Sequence, residues 1–146
     1  MVKNFIEYMN LERKTEEEVR FIPPLVLAYI GDAIYEVYIR TYILHKYGGN
    51  VNQLHKVATK FVKAGAQAHV AHELEKELNE EEWTILKRGR NQKSGSMPKN
   101  ASVADYKYAT GFETLVGHLY LLKRTERLEE IIKKSIELIE KNDESK

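Results

Sequence analysis

Residues 24–45, PLVLAYIGDAIYEVYIRTYILH, are the part of the chain that leaves the fewest folds open. Pro23 and Pro24 open the segment, Gly48 and Gly49 close it, and Leu27, Ile30, Ile34, Val37, Thr41 and Leu44 recur at steps of three and four. That period is helical, and a proline is well placed at a helix start. The opposite face carries Leu25, Ala28, Asp32, Tyr35 and Ile39, so the helix is apolar nearly all round. Such a helix is expected in the middle of a protein, covered by others.

The remaining segments supply the cover. Asn50 is placed to cap a second helix, in which Lys56, Lys60 and Lys63 fall on one side as a basic stripe. Gly65 interrupts before a further helical stretch through Leu78. Asn79 with Glu82 three residues on reads as a capping box opening a helix from Glu80 to about Arg88. Residues 91–100, NQKSGSMPKN, mix Gly, Ser, Asn and Pro with two lysines and read as a basic loop. Ser102 caps a helix to about Leu122, and Thr125 caps a last amphipathic one carrying Leu128, Ile131, Ile132, Ile136 and Ile139, with fraying expected from Asn142. No repeat and no sustained strand alternation is present, which gives an all-α bundle in one compact domain spanning residues 1–146.

Composition excludes several classes of function. The absence of cysteine removes disulfide and zinc-thiolate chemistry, no apolar run approaches the roughly 20 residues that span a bilayer, and the start MVKNFIEYMN lacks the features of a leader. A reducing, cytoplasmic setting is the expectation. A net charge of +1, from 23 basic and 22 acidic residues, conceals sorting. Val37 to His72 holds Arg40, Lys46, Lys56, Lys60 and Lys63 without an acid, and Trp83 to Ala104 holds Lys87, Arg88, Arg90, Lys93 and Lys99 likewise. A polyanionic partner suits such sorting; ordinary solvated faces are the plainer reading.

Two carboxylates stand out within apolar helices. Asp32 lies in YIGDAIYEV beside Gly31, with Ala28 one turn back; Glu113 lies in ATGFETLVGHLYL, between Ala109 and Gly117. Small residues one turn from each acid let two helix backbones approach, so both acids can point into one gap. Acids placed there need a cation, and magnesium favours one or two carboxylates plus waters. The alternative is that each acid caps a helix or pairs with a base, Asp32 with Arg40 or a lysine.

The chain resembles the ribonuclease III endonucleases, in particular their short Mini-ribonuclease III branch. YIGDAIYEVYIR is similar to the family's signature helix and GFETLVGHLYL to its second acidic motif, which carries the metal-ligand and catalytic roles over to Asp32 and Glu113. KRGRNQKSGSMPKN resembles the basic loop that precedes the second motif. The full-length enzymes have further acids where this chain has Ala28 and Thr110, and the short branch is similar in lacking them. What the resemblance implies is a magnesium-dependent endoribonuclease of a ribonuclease III-like fold. It acts as a homodimer on double-stranded RNA, leaves 5′-phosphate and 3′-hydroxyl ends, and matures the large-subunit ribosomal RNA precursor.

No separate RNA-binding domain is visible, so duplex binding falls to the catalytic domain. The candidates for phosphate and sugar contacts are Lys63, Gln67, Lys87, Arg88, Arg90, Asn91, Lys93, Ser94 and Lys99. Two rivals remain open: a retired relative that only binds RNA or a ribosomal particle, and a helical interaction protein with no nucleic acid partner. His69 and His72 are set aside as metal ligands for want of a third; Glu36 is expected to pair with Arg40, and Trp83 to anchor the core.

Overall fold

The structure, a computed structural model, describes residues 5–93 and 102–144. Among them are eight helices and no strand: α1 (Phe5–Tyr8), α2 (Glu16–Arg20), α3 (Pro24–Lys46), α4 (Val51–Val62), α5 (Ala64–Leu74), α6 (Glu80–Arg90), α7 (Val103–Leu121) and α8 (Thr125–Glu144). Local chemistry sets most of the boundaries. Asn50 with Gln53 and Asn79 with Glu82 form reciprocal capping boxes, and the Ser102 hydroxyl accepts from the Asp105 amide. The ends differ from expectation in small ways. The break between α4 and α5 falls at Lys63, in extended backbone, two residues ahead of Gly65. α5 stops at Leu74, and α8 continues through Glu144 where fraying was expected. A further capping box, Thr15 with Glu18, opens the short α2.

The central helix is α7, packed chiefly against α3, α6 and α5. Ala109, Phe112, Leu115, Val116 and Leu119 are buried on it, and α8 closes the far side of the core with Leu128, Ile131, Ile132, Ile136 and Ile139. α3 is correspondingly less central than its composition suggests. It buries Leu27, Ala28, Gly31, Tyr35, Ile39 and Ile43, whereas Val37 and Leu44, both in the predicted stripe, are 62% and 57% exposed. Packing chose the face with the smaller residues near Gly31, because only that face lets α7 come close. Trp83 is half-buried at the edge of the core, with the Lys87 ammonium over its ring.

Candidate active site

α3 and α7 cross in near backbone contact. A Cβ on Gly31 would strike the backbone carbonyl of Glu113, and one on Gly117 would strike that of Leu27, so neither position accepts a side chain. This contact brings together the helix turns that carry Asp32 and Glu113. Asp32 stands at the exposed edge of the gap and Glu113 is half-buried within it, with a hydrogen bond between the two side chains. Burial, then the hydrogen bond and charge of Asp32, push the Glu113 carboxyl up to about 9; the nearby Glu36 charge acts in the same direction. Two carboxyl groups that meet in this way repel each other when both are charged, and a cation between them would relieve that repulsion. The gap could therefore hold a cation, which its two acids would neutralise.

The surroundings are specific. The Tyr35 hydroxyl donates to the Phe61 carbonyl at 2.9 Å, buried just behind the pair, and burial with the Glu113 charge drives its pKa upward. Glu36 pairs with Arg40 at 3.3 Å, as expected from their spacing. His118 turns to Glu81 at 3.4 Å, in a cluster with Arg124. His72 stacks on Tyr108 with ring centres 4.0 Å apart. Among the described residues no three acidic or histidine side chains form a metal-binding group, so the acids the gap could offer an ion are Asp32 and Glu113.

The basic candidates divide. Arg90 lies over the Tyr108 ring, 5.4 Å from its centre, and its Nε donates to Asn91 at 3.0 Å; Lys87 sits over Trp83, while Lys63, Asn91 and Lys93 are exposed. Arg88 donates to the Arg20 carbonyl at 3.0 Å, which ties it to the end of α2. Ser94 and Lys99 lie outside the described residues. Gln67 requires a correction: at 2% exposure it cannot touch RNA, and its amide faces the Glu113 carboxyl instead. The acid-free stretch is also less positive than its sequence, because α8 folds back on it. Glu140 pairs with Lys46 at 2.6 Å and Asp143 with Lys60 at 3.8 Å. Spacing along one helix carried no signal for either fact, since Gln67 and Glu140 reach their partners across the fold.

Comparison with known proteins gives the family. The ribonuclease III domain model matches residues 25–124, which include both carboxylates. A Mini-ribonuclease 3 from Clostridium tetani is 52% identical over 140 residues, covering 95% of this chain and 93% of that protein. Another, from a Thermoanaerobacter species, is 48% identical over 141 residues, covering 96% and 99%. A crystal structure of a Fusobacterium nucleatum protein superposes with a TM-score of 0.74 at 37% identity, covering 82% of this chain and 95% of that one. The chain belongs to the ribonuclease III family, in its Mini-ribonuclease III branch. Its fold is the all-helical fold of that family.

Proposed function

We propose that the chain, as one catalytic domain, cuts double-stranded RNA at the α3–α7 gap with a magnesium ion held by Asp32 and Glu113. Endoribonuclease activity on duplex RNA follows from family membership. The observation that carries the site is the meeting of the two carboxylates, one buried enough to be protonated in the absence of a cation. Hard oxygen donors and an edge open to solvent suit magnesium, which keeps several of its waters. When bound, the ion supplies an acidified water aimed at phosphorus and neutralises charge on the phosphoryl oxygens.

The chain's own residues do the rest. Asp32 and Glu113 fix the position of attack, while Arg90, steadied by Tyr108 and Asn91, grips the backbone with Lys63, Lys87 and Lys93. An exposed apolar stripe on α3, Val26, Tyr29, Val37 and Leu44, supports a homodimer, in which two such gaps face opposite strands. The substrate we assign is the large-subunit ribosomal RNA precursor, in the cytoplasm. No helix among the described residues is long and apolar enough to cross a membrane.

The deciding experiment compares long duplex RNA, single-stranded RNA and duplex DNA, each with magnesium and with chelator. Selective, chelator-sensitive cutting of the first is expected. Binding without cutting would instead identify a retired relative.

A further inference from the structure

Gln67 is an amide in a place where an apolar side chain would be simpler. It sits on the first turn of α5, is 2% exposed, and is flanked by the buried Ala66, Ala68, Val70 and Ala71. A buried amide without partners is destabilising, and few are retained without a reason. Its Nε2 is in that state, since it completes no hydrogen bond. The amide nonetheless reaches the Glu113 carboxyl closely enough to favour its ionised form. A buried donor without a bond is therefore left beside the Glu113 carboxyl.

Both features have one resolution. In the structure the Glu113 carboxyl is engaged with that of Asp32. With an ion placed between the two acids, one Glu113 oxygen would face the ion and the other could take the waiting Nε2–H bond. We propose that Gln67 is the positioning residue for Glu113, its buried amide anchoring one carboxylate oxygen and so presenting the other to the ion. This rests on the reading of Asp32 and Glu113 as the metal pair. It also gives a reason for an amide rather than an acid at this position. A third carboxylate would add charge repulsion to a gap that already strains to hold two, whereas a neutral donor orients Glu113 without that repulsion.

The experiment measures divalent-ion binding without RNA, by thermal shift and calorimetry with magnesium and with manganese. The proteins are wild type, Gln67→Leu, Gln67→Glu and Asp32→Asn. Wild type should gain thermal stability from the ion and Asp32→Asn should not. Gln67→Leu should fold with a metal-free melting temperature equal to or above that of wild type, because an unsatisfied donor is removed. It should then need about tenfold more ion for the same shift, the usual effect of losing a group that orients a ligand. Gln67→Glu should melt lower than wild type when metal-free above neutral pH and gain more from the ion.

Duplex RNA binding in chelator should be the same for wild type and Gln67→Leu. If Gln67→Leu binds the ion as wild type does, the positioning role is overturned while the metal pair stands. Equal losses with and without the ion would mark Gln67 as a packing residue and also overturn it. If wild type shows no shift with either ion, the metal-pair reading falls and this inference with it.

Discussion

Asp32 and Glu113 differ in exposure although they share a gap, and the difference assigns their behaviour. Glu113 carries the burial, so it takes up a proton on folding that it would not hold in the unfolded chain. The stabilisation that goes with that proton is complete below the ordinary carboxylate range and is lost as pH rises through about 9. The melting temperature of the metal-free protein should therefore fall across this window. In Asp32→Asn one of the two charges is gone, and the fall should be shallower in a pH series of thermal melts. The same variant should keep its affinity for duplex RNA in a gel-shift assay and lose cleavage with magnesium. Cutting at the wild-type rate would remove Asp32 from the mechanism.

At the level of the helices, one contact shapes the site and a second ties the bundle together. The first is the α3–α7 crossing, where Gly31 has no room for even one methyl group. Gly31→Ala should push the helices apart and lower stability by about 3 kcal/mol in urea unfolding, the upper range for overpacking. Activity should drop further than the folded fraction does, because the displacement acts directly on the carboxylate pair. The second contact joins α6 to α8. Glu82, 1% exposed, accepts from Arg127 Nε and Nη2 at 2.8 Å each and from the Asn79 backbone N–H at 3.0 Å. Burial works to raise its carboxyl, but the Arg127 fork and the Asn79 amide outweigh it and hold it below the usual range. Arg127→Ala leaves that charge alone and should cost about 3 kcal/mol at neutral pH. The deficit should narrow as pH falls through the carboxylate range, where protonation of Glu82 removes the unpaired charge; a pH-independent deficit in the same unfolding assay would contradict this account.

For the whole molecule, what matters is how its charges and apolar surface are shared with partners. Tyr29, 81% exposed, is the most exposed residue of the uncovered stripe on α3. Sedimentation at micromolar concentration should show a dimer for wild type and a monomer for Tyr29→Glu, and a wild-type monomer would count against the paired arrangement. Of the basic residues, those that α8 neutralises, Lys46 and Lys60, should matter less for RNA than Arg90 and Lys93. Replacing the latter two by alanine should reduce the salt dependence of duplex binding by about one unit of slope for each phosphate that is no longer neutralised.

Helices α3 to α8, the caps at Asn50, Asn79 and Ser102, and the candidate acids Asp32 and Glu113 could be read along the chain, because period, capping chemistry and motif are local properties; the short α1 and α2 were not. Which side of α3 is buried could not, since both sides are apolar and the choice went to the one that lets α7 approach Gly31. Gln67 and α8 make the same point. Whether an amide meets phosphate or carboxylate, and whether a lysine is free or already paired, depends on neighbours far away in sequence. Only the packed bundle brings them within reach.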